Sequence, residues 1–217
     1  MTDIQFTGAI FDQDGLLFDT EKIYQRAWLD MAKEFGLEMD VSFPQQFCGK
    51  PQSLIAKIVE AVYPGIDMPE YCRKSVERAW RIQLDGTPEE KPGLREMLEF
   101  CRANGIRTAV ASSSTAKVVE HNLQSAGIRG FFDAIVCGEE VENGKPAPDI
   151  FLLAARKIGL DPRKCCVFED AISGITGAYR AGCRAVMIPD MVAPSPEIEG
   201  KCVVYSDLSQ ATAAFRA

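Results

Sequence analysis

One recurrence constrains this chain more than any other feature. "TGAIF", "IRTAVAS", "DAIVCG", "KCCVFED" and "RAVMIPD" are short, nearly unbroken apolar runs, most of them separated by segments with helical periodicity. A strand with one wet face alternates polar and apolar residues, whereas a strand buried on both faces reads as continuous apolarity. The pattern predicts a parallel sheet with helices on each side, an α/β, doubly wound, Rossmann-like core. Helices are expected in "PGLREMLEFCRANG", with Pro92 near its start and Gly105 at its end, and in "STAKVVEHNLQSAG", with Ser114 or Thr115 as N-cap. Two more, "DIFLLAARKIG" and "AISGITGAYRAG", are each closed by glycine.

One interval breaks the alternation. From about Phe18 to Pro88 there is no clear strand, only amphipathic stretches such as "EKIYQRAWLDMAKEFG", "QSLIAKIVEAVY" and "PEYCRKSVERAWRIQL". Three or four helices there read as an inserted helical domain. The expected organisation is a core of residues 1–17 and 89–217 with an insertion of residues 18–88. A chain of 217 residues with 47% hydrophobic content is long enough to bury such a core and carry the insertion.

Charge and composition narrow the function classes. A net charge of -7, with no basic run interleaved with aromatics, argues against nucleic acid as a partner. No window reaches the roughly 18 apolar residues of a membrane span, and "MTDIQFTGAIF" lacks the basic-then-apolar pattern of a leader. A cytoplasmic monomer without membrane partners is therefore expected. Eight cysteines with no C-x-x-C pair point to reduced core thiols, and adjacent Cys165 and Cys166 should face opposite sides of a strand, which disfavours zinc. The one histidine, His121, lies in an amphipathic helical pattern and leaves no material for a Ser-His-Asp triad or a multi-histidine metal site.

Ligands of a doubly wound sheet bind beyond the carboxyl ends of its strands. The run ending at Phe11 delivers Asp12 and Asp14 to that edge, and the run ending "VFED" delivers Glu169 and Asp170. Four crowded carboxylates repel one another unless a cation sits among them, and an all-oxygen donor set favours Mg²⁺. The plainer alternative makes the aspartates N-caps of the following helices. "VASSST" ends a strand on Ser112, followed by Ser113, and offers hydroxyls and backbone N–H groups to an anion. In "NGKPAPDIF", Lys145 sits between Gly144 and Pro146, in a stiff turn ahead of a helix.

Taken in order and spacing, "FDQDG", "ASSST", "GKPAPD" and "FEDAISGITGA" resemble the four motifs of the haloacid dehalogenase-like superfamily across the whole core. The insertion introduced by "DGLLFDTE" resembles the cap of the subfamily that holds β-phosphoglucomutase and many small-metabolite phosphatases. The resemblance implies that Asp12 is a nucleophile forming an aspartyl-phosphate, and that Asp14 is a general acid and base whose backbone carbonyl also binds the metal. It implies Mg²⁺ held by Asp12, Asp14, Glu169 and Asp170, with Ser112, Ser113 and Lys145 on the phosphate oxygens. A second aspartate favours phosphoryl transfer over halide removal, because halide leaves without a proton.

Sugar-phosphate mutases of this kind commonly carry a histidine in the first cap helix and an arginine in the cap loop. The matching positions here are Tyr24 and Gln52, which favours hydrolysis. Gly49, Lys50 and Gln52, in "GKPQS", are expected to form a substrate loop together with Tyr24. "FDQDGLLFDTE" with "GCRAVMIPDMVAPSPEI" further resembles a branch containing pseudouridine-5′-phosphate phosphatase. The expected function is Mg²⁺-dependent hydrolysis of a small phosphorylated metabolite, a sugar phosphate or nucleotide monophosphate. The alternatives are a sugar-phosphate mutase and a catalytically idle binding protein; intact Asp12 and Asp14 argue against the latter.

Overall fold

Strand β1 (Gly8–Phe11) is buried along its whole length and pairs in parallel on both sides. In the computed structural model, which describes residues 6–44 and 52–216 with the side chains of 52–54 aside, it sits centrally in a six-stranded sheet. Its neighbours are β2 (Arg107–Ser112) and β4 (Cys165–Glu169), with β3 (Ala134–Cys137) outside β2, and β5 (Arg184–Met187) and β6 (Val203–Val204) outside β4. Every pairing is parallel. The five long strands are the five apolar runs. β6 is an exposed pair of valines at the sheet edge, too short to announce itself by periodicity.

Successive residues of a strand face opposite sides, and here each side buries its own cluster. Ala9, Phe11, Val110, Cys166 and Phe168 pack beneath α4 (Leu94–Ala103), α5 (Ala116–Ser125) and α8 (Leu208–Arg216). Ile10, Ala109, Ala111, Cys165 and Val167 pack against α6 (Asp149–Lys157) and α7 (Ile172–Arg180). Cys165 and Cys166 thus do face opposite sides, and the cysteines among the described residues are free thiols. Burying the Phe11 and Phe168 rings, stacked at 4.9 Å, contributes on the order of 2 kcal/mol each by transfer from water.

Between β1 and α4 the chain forms α1 (Glu21–Glu34), α2 (Gln52–Val62) and α3 (Met68–Leu84). These helices bury a separate small cluster, Phe43, Val59, Met68 and Cys72, with Trp28 against it. Tyr71 of α3 reaches back to the Trp28 carbonyl at 2.6 Å, and Arg78 of α3 pairs with Asp30 of α1. The passages into and out of this segment run side by side. Asp19 N–H donates to the Glu89 carbonyl at 2.8 Å, and Lys91 N–H to the Leu17 carbonyl at 2.9 Å, around an antiparallel bridge between Phe18 and Glu90. Two cross-links fasten α3 to α5: Asn122 Nδ2 donates to Gln83 Oε1 at 2.7 Å, and a His121 ring nitrogen lies 2.8 Å from the Gly86 carbonyl. Among the described residues, no helix is long and apolar enough to cross a membrane.

Candidate active site

Strand register assembles the site. Phe11 lies level with Val110 and Phe168, so the next residue on β1, Asp12, comes level with Ala111 and Glu169. Asp12 N–H extends the ladder to the Phe168 carbonyl at 3.0 Å. The chain then turns away at Gly15, whose φ of +81° suits a residue without a side chain. A Cβ there would stand 2.5 Å from Asp170 Oδ2, so the turn also needs glycine to let Asp170 approach.

Lys145, in the loop before α6, reaches under this edge. Its ammonium donates to Asp12 Oδ1, to Glu169 Oε1 at 2.6 Å and to the Ala111 carbonyl at 3.0 Å, using all three hydrogens. Burial works against the Lys145 charge, but the Asp12 and Glu169 carboxylates outweigh it and hold the ammonium well above its ordinary range. The Lys145–Pro146 bond is cis. Glu169 is gripped from its other side: Oε2 accepts the Ala171 N–H at 3.2 Å, and a Cβ on Gly174 would stand 1.9 Å from its carboxyl carbon. Only glycine in α7 leaves room for that carboxylate.

Asp12, Glu169 and Asp170 are buried, and their oxygens lie within 4.8 Å of one another. Ionised, the three carboxylates and Lys145 together leave two negative charges, the complement of one divalent cation. Without a metal the cluster is strained electrostatically. Burial, with Glu169 and Asp14 adding and Lys145 opposing, pushes the Asp12 carboxyl up to about 8. Burial, then Glu169 and Asp12, lifts Asp170 well above the usual carboxylate range. A hard cation among these oxygens would reverse both shifts, and the donor set fits one.

Asp14 faces a different environment. Its Oδ2 accepts from Ser114 Oγ at 2.8 Å and lies 3.4 Å from Ser112 Oγ; its Oδ1 is buried and has no hydrogen-bond partner among the described residues. Ser112 Oγ in turn accepts the Ser114 N–H at 3.0 Å. Neither aspartate is a helix cap. Thr20 precedes α1 and Ala171 precedes α7. Thr115 takes the N-cap position of α5 but makes no side-chain cap bond, and the adjacent Ser114 hydroxyl is committed to Asp14. Ser113 is exposed, and its carbonyl packs where a Gly138 Cβ would stand, at 2.9 Å. Tyr24 of α1 sets its hydroxyl 3.3 Å from Ser114 Oγ. Gly49, Lys50 and the Gln52 side chain lie outside the described residues.

The structure adds residues the motifs did not single out. Ser114, and not only Ser112, touches Asp14. Asp190, in the loop after β5, pairs with Lys91 at 2.6 Å, and its Oδ2 would stand 3.4 Å from a Gly15 Cβ. Glu21 opens α1 beside it; burial, with Asp190, Asp14 and Asp19 adding and Lys91 opposing, pushes its carboxyl up to about 7. Asp190 lies in the "MIPD" tail and Glu21 closes "FDTE", both visible in the sequence as fragments with no geometry attached.

Comparison with known proteins agrees with this geometry. The family profile described as haloacid dehalogenase-like hydrolase matches residues 9–188. A fructose-1-phosphate phosphatase of Escherichia coli K12 is 35% identical over 184 residues, covering 84% of this chain and 96% of that one. A Drosophila melanogaster protein described as "Probable pseudouridine-5'-phosphatase" is 37% identical over 191 residues, covering 85% and 82%. The crystal structure of β-phosphoglucomutase from Clostridium difficile superposes with a TM-score of 0.73 at 24% identity, covering 94% and 92% of the two chains, a likeness of fold.

Proposed function

From the premise that the chain belongs to the haloacid dehalogenase-like hydrolases, we propose that it hydrolyses phosphoric monoesters of small metabolites through an aspartyl-phosphate on Asp12. The observation that carries this reading is the division of labour between two aspartates two residues apart: Asp12 among charges, Asp14 among hydroxyls with one buried oxygen unpartnered. In this reading Asp12 attacks phosphorus and the ester oxygen departs. Asp14 donates a proton to that oxygen, then accepts one from the water that cleaves the acyl phosphate. Ser112 and Lys145, with Ser113 beside them, hold the phosphoryl oxygens; Lys145 exchanges a contact with Asp12 or Glu169 for one with phosphate. Asp12, Glu169 and Asp170, with the Asp14 carbonyl, would hold Mg²⁺, which neutralises charge between the anionic nucleophile and the anionic ester.

Residues 18–88 act here as a cap over this edge, with Tyr24, Gly49, Lys50 and Gln52, the last of which opens α2, sorting substrates. The relatives' names, a fructose-1-phosphate phosphatase and a pseudouridine-5′-phosphatase, support a phosphorylated sugar or nucleoside as the substrate class. The test is a screen of hexose phosphates, nucleoside monophosphates and pseudouridine 5′-phosphate, with Mg²⁺ and with EDTA, reading both phosphate and organic products. Phosphate release that stops with EDTA is expected. Isomerised sugar phosphate without release would replace hydrolysis by mutase chemistry, and inactivity on every ester would leave a binding protein.

A further inference from the structure

Among the described residues, only hydroxyls donate to the Asp14 carboxylate. Ser114 uses its single hydrogen on Asp14 Oδ2, so toward Tyr24, whose hydroxyl is 3.3 Å away, the Ser114 oxygen acts as acceptor. Burial, reinforced by the Asp14 charge, holds the Tyr24 phenol protonated well above its ordinary range, with the Gln83 and Trp80 side chains also beside its hydroxyl; since the Ser114 hydrogen is spent on Asp14, Tyr24 is the donor in this pair. The chain of contacts therefore runs one way: Tyr24 to Ser114 to Asp14. It also crosses the molecule, because Tyr24 belongs to α1 and Ser114 to the loop between β2 and α5. The Gln83–Asn122 and His121–Gly86 contacts fasten the same helical segment to α5 nearby.

We propose that Tyr24 is a positioning residue: through Ser114 it fixes the direction of the Asp14 carboxylate, so that docking of the helical segment sets the acid/base group for proton transfer. This rests on the reading of Asp14 as acid and base. With the segment undocked, Ser114 keeps its place on the core but loses its outer partner, and its hydroxyl is free to rotate. Asp14 then has no fixed donor, and proton transfer must wait for reorientation. A 3.3 Å separation is long for an O–H···O bond, so a shift of a few tenths of an ångström in α1 makes or breaks the relay.

The experiment measures kcat and KM on an aryl phosphate and an alkyl phosphate for Tyr24→Phe, Ser114→Ala, Ser114→Thr, the Tyr24→Phe/Ser114→Ala double variant and Asp14→Asn. Tyr24→Phe keeps the ring and should lower kcat about 5- to 10-fold on the alkyl ester and less than about 2-fold on the aryl ester, with the metal requirement unchanged. Ser114→Thr should retain activity, and the double variant should be no slower than Ser114→Ala, because both lesions cut one chain. Equal losses on both esters, or losses that multiply in the double variant, would overturn the relay. If Asp14→Asn alone discriminates between esters, the acid/base reading stands and the relay falls. If Asp14→Asn does not discriminate either, the acid/base reading falls and takes the relay with it.

Discussion

Asp12 and Asp14 leave the same strand two residues apart, yet they enter regions built on opposite principles. Around Asp12 everything is charged and supplied by the core: Lys145 from the loop before α6, Glu169 and Asp170 from the end of β4. Around Asp14 the partners are neutral hydroxyls, and one of them is reached from α1. In the proposed mechanism Asp12, with a cation among its charged neighbours, would meet phosphorus as an anion, while neutral donors suit Asp14, which would take up and release a proton in each turnover. The difference teaches that one two-residue step along a chain can put two identical carboxylates among opposite kinds of neighbour, charges for one and hydroxyls for the other.

The sharpest way to break this contrast is at Asp12. Asp12→Asn should leave the circular dichroism spectrum unchanged and lower turnover by at least about 1,000-fold, since it removes the nucleophile and keeps its shape. Activity above that level would mean that no covalent step passes through Asp12. The matching change on the other side, Asp14→Asn, should cost about 100- to 10,000-fold on alkyl phosphates and markedly less on aryl phosphates, whose leaving groups need little protonation. Equal loss on both would make Asp14 a structural charge and not the acid that protonates the leaving group.

Smaller effects sharpen the Asp12 side. Gly174→Ala puts a methyl group against the Glu169 carboxyl and should raise the metal concentration for half-activity about 10- to 100-fold, with kcat at saturating metal nearly restored. An unchanged metal requirement would take Glu169 out of the cation site. The smallest effect is thermal. Because the Asp12 carboxyl is pushed from 3.8 to about 8, the metal-free fold holds a proton that the unfolded chain releases. Its stability contribution is therefore full below about pH 4 and is lost as pH rises toward 8. Mg²⁺ needs the ionised carboxylates, so its gain in Tm should grow over the same interval, to about 5–10 °C at 100 times its Kd near pH 8. A gain independent of pH between 6 and 8 would contradict the buried-carboxylate account of this cluster.

The five long strands were legible because burial on both faces writes itself as uninterrupted apolarity, and the placement of Asp12 and Glu169 follows from where those runs stop. β6 was not, since two exposed valines carry no period. What escaped in the site was contact at long sequence separation. Nothing in "ASSST" distinguishes the serine that bonds Asp14 from its neighbours; that depends on how β2 hands over to α5. Asp190 and Lys91 stand 99 residues apart and meet only because β5 ends beside the passage out of the helical segment. The capping alternative for the aspartates closes only with the helix starts, where Thr20 and Ala171 take the N-cap positions of α1 and α7.

The side-by-side passages at Phe18 and Glu90 have a consequence for how such a chain can change. Because Asp19 and Glu89 are one hydrogen bond apart, everything between them leaves and re-enters the core through a single doorway. The sheet is threaded identically whatever lies beyond that doorway, so a different helical module could be grafted between the two residues without re-registering a strand. Such a graft would leave the Asp12 cluster untouched but would have to bring its own partner for Ser114, because in this chain that contact comes from α1.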